Sequence, residues 1–570
     1  MSKMRGAPAK PPAAGRGVDM RVGSTLEVPT APMPTPRVDE SPGVDWANWH
    51  NTPSVGGRVA RQLTPWNQWQ QRPAGMQPAW WVGIPGIQAL RRIVRDAEGR
   101  GERVRGFGGG WSLNNVAFTD QNLINTTQLS DGLWFVDMQT ETRKDWMLAP
   151  GAQVDARRLV LAQAGTRIST VHGWLEPHGL SLPTCGASNG QTIIGAISTG
   201  THGSAHSVGA MQDYVAGLHV IGPGGQPYWI ERASRPIVSD ALCQALGAIP
   251  RRDDALFDAA VVGFGCFGLV HAVLLEVAPI YLLERFTYQR DFDDVVRDAL
   301  PFPLESWSAI APRLGLPSTD VPFHFEIVLN PYRLGAGEKG AFIRVFYQRA
   351  VDPTGPLPRA RVPEGQTLNS RELVGLVGVA ADIVPGLIGT ALQGQLVNAI
   401  QPMKAGTREG VLGTCSQQFG DSEHTGRGTS MEIGVPRAQA AKAVELLRGV
   451  TRDNPFGAPI ALRYVKASRA LLAFTSFSDI TCTIEMPGLD NHRAEAAHRK
   501  IFEAFAASDI PHAYHWGQVL PENIDWVRRA FGPRLDQWLA ARAQLLPTAA
   551  ARRTFANEMV ERMGLSGATP

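Results

Sequence analysis

The sequence predicts an α+β fold in two parts, and three observations carry that reading. The chain has 570 residues, too many for one ordinary core and enough for two or three structural units. From Trp80 to about residue 282, short apolar strands alternate with helical patterns and Gly-rich turns. After Ile280 the strands lengthen and amphipathic helices follow them, the pattern of an antiparallel sheet with helices on one face.

Composition narrows the class. The chain is 44% hydrophobic and 19% charged, as expected of a soluble, packed protein. Its 55 basic and 52 acidic residues nearly balance, which leaves no electrostatic footprint for nucleic acid. The five Cys, at 185, 243, 266, 415 and 482, form no C-x-x-C pair. They read as small buried residues in a reducing, cytoplasmic compartment, with neither a disulfide framework nor a metal site. No run is long and apolar enough to span a bilayer, and the N-terminus lacks a secretory h-region. Residues 1–44, rich in Pro, Gly, Ala and Thr, read as disordered or extended. Fifteen Trp suit a core or a pocket for a planar or bulky ligand.

The elements follow in order. The folded part is expected to start at Asp45, before Asn48-Trp49. Trp80-Trp81-Val82 reads as a strand, and Ile87, Leu90, Ile93, Val94 and Ala97 have helical spacing. Short strands are expected at 103–105, 123–125 and 133–136, a strand ending in a turn at 147–152, and a helix at 154–164. Residues 215–221 and 227–231 flank Gly222-Pro223-Gly224-Gly225 and read as a hairpin, and 268–277 reads as a buried strand. Beyond them, strands are expected at 323–329 and 340–348 and helices at 438–449 and 494–507. The apolar stretch at 373–381 and 383–400 reads as a buried or pocket-lining helix pair, with a surface that handles a lipophilic substrate or touches membrane as the alternative.

Two loops carry the chemistry. Gly108-Gly109-Gly110-Trp111-Ser112 follows a short strand, and consecutive glycines bring bare N–H groups together in a way that suits a pyrophosphate. Residues 195–204, containing Ser198-Thr199-Gly200-Thr201-His202-Gly203-Ser204, pack three Gly and four hydroxyls into ten positions, a donor density that suits phosphate oxygens and a heterocycle edge. Gly263-Phe264-Gly265-Cys266-Phe267-Gly268 satisfies G-x-G-x-x-G, but a dinucleotide fingerprint needs a helix after the third Gly. The Val-rich run that follows reads as a strand, so this segment is expected to line a cofactor with its backbone rather than bind a nicotinamide.

These residues resemble the vanillyl-alcohol-oxidase-type flavoproteins and, within them, the aldonolactone and alditol oxidase branch. The resemblance covers roughly residues 45–282 and 407–565. It rests on Asn48-Trp49, 105–112, Leu182-Pro183, Thr199-Gly200-Thr201-His202-Gly203 within 195–204, 264–270, 414–420, Met431-Glu432, Arg463 and His515-Trp516-Gly517, in that order. It implies a PCMH-type FAD domain at 45–282 with a returning segment at 513–570, and a substrate-binding cap at 283–512. It implies FAD held by Phe107, Gly108, Gly109, Gly110, Trp111, Ser112, Ser198, Thr199, Gly200, Thr201, His202, Gly203, Ser204, Gly268, Val270 and His515. The implied reaction removes a hydride from a carbon bearing a hydroxyl, with dioxygen or another acceptor reoxidising the flavin. Arg463, His515 and Gln518 are the expected catalytic residues. His515, His202 and Glu432 are candidates for the base, and Tyr464 is expected to point to the opposite strand face.

The sequence departs from that branch at four places. Trp111 stands where a His would bond covalently to the flavin, so FAD is expected to be non-covalent. Cys185 lies three residues beyond the position of the bicovalent Cys and is assigned no link. Ala461, Ala196 and Gln518 replace a Glu, a Ser and a Lys. Lost polar anchors imply a small to medium, more apolar metabolite than an alditol or sugar lactone. The same losses leave open a flavin-binding protein of this fold with lost or altered catalysis.

Overall fold

The computed structural model describes residues 34–71, 79–352, 355–358, 407–420 and 428–567. The expected apolar helix pair at 373–400 lies outside them.

The first sheet contains β1 (Pro36–Ala47), β2 (Gly56–Trp69), β3 (Val104–Phe107) and β4 (Asn122–Asn125), in the order β1-β2-β4-β3. The expected start at Asp45 falls inside β1, which pairs with β2 as far back as Pro36. Helix α1 (Ile84–Gly99) places Pro85 in its first turn, where no N–H is missed. It buries Ile87, Leu90, Ile93, Val94 and Ala97 on one face, as their spacing predicts. Trp80-Trp81-Val82 is a bend and turn entering α1 rather than a strand; Trp81 is fully buried and packs as an aromatic anchor.

The second sheet runs β10-β9-β8-β11-β6-β5. Its strands are β5 (Gly132–Trp134), β6 (Leu159–Gln163), β8 (Val215–Ile221), β9 (Pro227–Glu231), β10 (Ile249–Arg252) and β11 (Leu269–Glu276), while β7 (Leu180–Ser181) pairs separately with β12 (Ala278–Pro279). The hairpin around Gly222 forms as β8–β9. Two expectations fail here. The expected helix at 154–164 is a short 3-10 turn followed by β6, and the expected strand at 147–152 begins as the end of a 3-10 turn. Every residue of β6 is buried, so the strand has no polar face to give it a period of two.

The third sheet has eight strands in the order β16-β13-β15-β14-β18-β19-β17-β20. They are β13 (Leu282–Arg290), β14 (His324–Leu329), β15 (Ala341–Arg349), β16 (Thr407–Thr414), β17 (Gly428–Pro436), β18 (Ile460–Lys466), β19 (Ile480–Leu489) and β20 (Ala513–Tyr514). Every pairing in it is antiparallel. Helices Ala440–Asp453 and His492–Ala507 carry buried apolar stripes, including Val444, Leu447, Ile501 and Phe505.

After β20 the chain packs on the first two-sheet unit. Trp538 stacks on Phe264 with ring centroids 5.5 Å apart. Fully buried Arg542 donates to the carbonyls of Cys266 at 2.8 Å and Arg552 at 2.6 Å, and Asn557 donates to Asn115 and Phe118. A buried guanidinium is stable here because backbone carbonyls take its protons.

Candidate active site

The first loop leaves β3 at Phe107, whose ring meets Trp46 edge-on at 5.4 Å. Two segments hold it. On one side Trp49 N donates to Gly110 O at 2.7 Å and the Asn48 carboxamide donates to Ser112 O at 2.9 Å. On the other side Leu113 N donates to Gly517 O, and Asn114 donates to the Trp516 and Gln518 carbonyls at 2.8 and 2.6 Å. These bonds use the loop's carbonyls and its following residues. The amides of Gly109, Gly110, Trp111 and Ser112 donate to no group among the described residues. Gly108 must be Gly: a Cβ there would lie 2.1 Å from Thr192 Oγ1. Trp111 stacks on Trp49 at 5.8 Å and 10°, and its buried Nε1 has no partner among the described residues.

The second segment is only partly a loop. Ser198 and Thr199 end helix α3 (Ile193–Thr199), and Gly200 caps it at φ +84°. The Thr199 hydroxyl bonds back to Gly195 O at 2.9 Å, and Thr201 N donates to Ala196 O. His202 and Gly203 then enter the interior, where a Cβ on Gly203 would lie 2.7 Å from Cys185 O. Ser204, fully buried, accepts from Tyr464 N at 2.8 Å and donates to Phe325 O. Its hydroxyl is therefore committed to joining this segment to β14 and β18.

The segment at 263–268 is a turn followed by strand β11, as the Val-rich run predicted. Gly268 has φ +134° and lies against Ile221 O, and Val270 is in β11. Arg105 donates to Phe264 O and Val116 O, which fixes this turn beside the first loop's strand.

One face of the eight-stranded sheet meets the second segment at His202 and, through Gln518, the stretch that holds the first loop. Side chains alternate along a strand, so Arg463 and Ala461 share a face of β18, as do Glu326 and Val328 on β14. Arg463 Nε donates to Glu326 at 3.0 Å and Nη1 to Glu485 at 2.5 Å, and Glu432 lies 3.9 Å away. Burial opposes the charge on Arg463, but Glu485, Glu326 and Glu432 outweigh it and raise its pKa. Burial likewise pushes Glu326 up, yet Arg344 and Arg463 bring it down to about 2. Tyr464 points to the other face, where its hydroxyl donates to Leu300 O, as expected.

His202 Nε2 lies 2.9 Å from Glu432 Oε1, and its Nδ1 lies 2.7 Å from Gly203 O. Both neighbours offer acceptor oxygens to the ring. Burial pushes Glu432 up, but His202, His515 and Arg463 lower it to about 2. His515 Nδ1 accepts from Gly517 N at 2.9 Å, which places the ring proton on Nε2, and burial lowers its pKa to about 4. Phe474 packs against both rings, at 5.3 Å from His202 and 4.9 Å from His515. Gln518 Nε2 donates to Glu432 at 3.2 Å and Glu485 at 3.1 Å, while its buried Oε1 has no partner among the described residues.

Arg463, His515 and Gln518 thus converge with His202 and Glu432. Sequence reasoning missed Glu326, Glu485 and Phe474. A Glu inside an otherwise apolar strand, as in His324–Leu329 and Ile480–Leu489, was the signal that could have found the two carboxylates. Register adds a further fact: Glu485 is the direct cross-strand partner of Ala461. The carboxylate absent from position 461 is present on the next strand.

Residues 86–231 match the family described as FAD binding domain, and residues 399–563 match D-arabinono-1,4-lactone oxidase. A D-arabinono-1,4-lactone oxidase of Candida glabrata is 28% identical over 173 residues, a match spanning 30% of each chain. An L-gulono-1,4-lactone dehydrogenase of Mycobacterium tuberculosis is 23% identical over 83% of this chain and 93% of its own. Among solved structures, cholesterol oxidase from B. sterolicum has the same fold, with a TM-score of 0.61, 14% identity, and coverage of 94% of this chain and all of that one (100%). A solvent-stable cholesterol oxidase superposes with a TM-score of 0.60 at 15% identity, covering 92% and 98%.

The residues present fit FAD. Four consecutive free amides suit a pyrophosphate, and the unpartnered Trp111 Nε1 and Gln518 Oε1 are a buried donor and acceptor available to a bound group. Fold, loop geometry and the two matched regions, in their expected order, support a PCMH-type, aldonolactone oxidase-like flavoenzyme with FAD as its cofactor.

Proposed function

We propose that the enzyme oxidises a carbon bearing a hydroxyl, in a small to medium metabolite with an apolar body. The observation that supports this reading is the ionic cluster of His202, Glu432, Arg463 and Glu485, tied through Gln518 to the segment that holds the first loop. Val328, Phe342 and Ala461 form a separate buried apolar cluster on the same sheet face, two register pairs along from Glu326 and Arg463.

When bound, FAD supplies the two-electron acceptor. The chain's residues supply charge and proton handling. Glu485 is the carboxylate most open to a substrate: its side chain is 17% exposed, against 3–4% for Glu432 and Glu326. It takes the hydroxyl proton, with Arg463 and Gln518 fixing its two oxygens. Arg463 also stabilises the alkoxide charge, and His515 Nε2–H offers a neutral hydrogen bond beside it. His202 lies beside Glu432 and is assigned no part in the proton transfer. Dioxygen or another acceptor completes the cycle.

Trp111 carries no nucleophile toward the flavin, so FAD is held non-covalently. Acid precipitation should leave all flavin in the supernatant; flavin retained on the pellet refutes this. Anaerobic mixing with a panel of secondary alcohols, hydroxylactones and polyols should bleach the flavin band with at least one. Glu485→Gln should slow that bleaching about 100-fold or more, the scale of a lost general base. No bleaching by any member of the panel would overturn the reading.

A further inference from the structure

We propose that His172, Cys185 and Cys415 form a structural metal site of the zinc class that ties the eight-stranded sheet to the FAD domain. The two Sγ atoms are 3.4 Å apart, and a ring nitrogen of His172 joins them so that all three ligand atoms lie within 4.8 Å of one another. This is the one such group among the described residues.

The environment calls for an occupant. Cys185 is fully buried, Cys415 is 1% exposed and His172 is 2% exposed. Neither nitrogen of His172 has a hydrogen-bond partner among the described residues, and of the described histidines it alone has both unpaired in this way. A buried imidazole without a partner is costly, and coordination removes that cost. Two thiolates and a neutral imidazole around a divalent cation sum to zero charge, as a dry site requires.

The geometry needs little movement. Bonds of about 2.3 Å to sulfur and 2.0–2.1 Å to nitrogen at tetrahedral angles place ligand atoms roughly 3.5–3.8 Å apart. Tyr281, 5% exposed, interacts with the Cys415 thiol. Its hydroxyl proton is directed at the Leu182 and Pro183 carbonyls, at 3.1 and 3.0 Å.

The position in the fold gives the site its role. His172 is in helix α2 (Ile168–Leu175), and Cys185 follows Leu182-Pro183 on the way to α3. Cys415 opens the helical turn Cys415–Gln418 directly after β16. One ion would join both domains beside the Thr414–Glu176 bond of 2.7 Å. The ligands are far apart in sequence, which is why no C-x-x-C spacing announces them.

The test uses the full-length flavoprotein, purified without chelator or reductant. Elemental analysis should find about one zinc per chain, and all five Cys should titrate as thiols once the protein is denatured with chelator. Cys415→Ser and, separately, His172→Gln should each lower zinc to background. Should either variant fail to fold, Co2+ exchanged into the wild-type protein should give an intense thiolate-to-cobalt band. Five free thiols with no metal bound after Zn2+ or Co2+ loading would overturn the proposal. So would two missing thiols restored by reductant, which would mean a Cys185–Cys415 disulfide instead.

Discussion

Replacing Arg463 by Met removes the cation that three carboxylates share. Two of the three keep a close basic partner: Glu326 retains Arg344 at 2.9 Å, and Glu432 retains His202 at 2.9 Å. Glu485 is left with only neutral donors, Gln518 at 3.1 Å and the Ser430 hydroxyl at 3.1 Å. The penalty therefore falls mainly on Glu485. Removing one partner of a buried pair costs about 3–5 kcal/mol. Residual exposure and two retained hydrogen bonds place this case at the low end, about 3 kcal/mol. Adding Glu485→Gln removes the stranded charge, so the double variant should regain about 2 kcal/mol of what the Arg463→Met single variant loses. The assay is urea unfolding of the four proteins of the cycle at pH 8 with saturating FAD. Additive losses, with a coupling below about 0.5 kcal/mol, would refute the claim that Arg463 and Glu485 act as one charge unit.

Other outcomes follow from single contacts. Ser204→Ala strands Tyr464 N–H and Phe325 C=O inside the protein and should cost about 1–3 kcal/mol while leaving FAD content unchanged; loss of flavin at full stability would show the hydroxyl serves the cofactor instead. Gly108→Ala drives a Cβ into Thr192 and should abolish the visible flavin band in the purified protein, and a variant with normal flavin content would show the loop is not set by that contact. Stability should also fall on acidification. Burial lowers His498 from 6.5 to about 4, so its contribution is complete above pH 6.5 and is lost as pH falls through about 4. That shift is about 3 kcal/mol. His498→Gln should flatten the fall in unfolding free energy between pH 6.5 and 4, and a slope equal to wild type would remove His498 from the account.

Much of the fold was legible because its signals are local. The face of α1, the hairpin around Gly222 and the helices after β17 and β19 each declare themselves within a dozen residues. Where burial was complete the signal vanished. β6 has no polar face, and its Leu-Val-Leu-Ala run is as apolar as a core helix. Ser198 and Thr199 read as loop residues because small hydroxyls favour turns, yet α3 carries them to its last turn and Gly200 ends it. Ile193, Ala196 and Ile197, buried on one face, decide the matter.

The site was legible only as a set of types, and its chemistry depends on register. Ala461 reads in sequence as a lost carboxylate, and from that loss alone one concludes that the site has given up a polar anchor. Pairing of β18 with β19 places Glu485 across from Ala461, and pairing of β19 with β17 places Glu432 across from Glu485. The carboxylate has changed strand rather than disappeared. The small side chain at 461 packs with Val328 and Phe342 in a buried apolar cluster beside these charges. Restoring Glu at 461 would add a fourth carboxylate to the three that share Arg463 and place it directly across from Glu485, which already faces Glu432, and like charges facing across a ladder destabilise it. Ala461→Glu should therefore lower stability, and Ala461→Glu with Glu485→Ala should recover it. A single variant as stable as wild type would mean that Glu485 does not occupy the place the lost residue left.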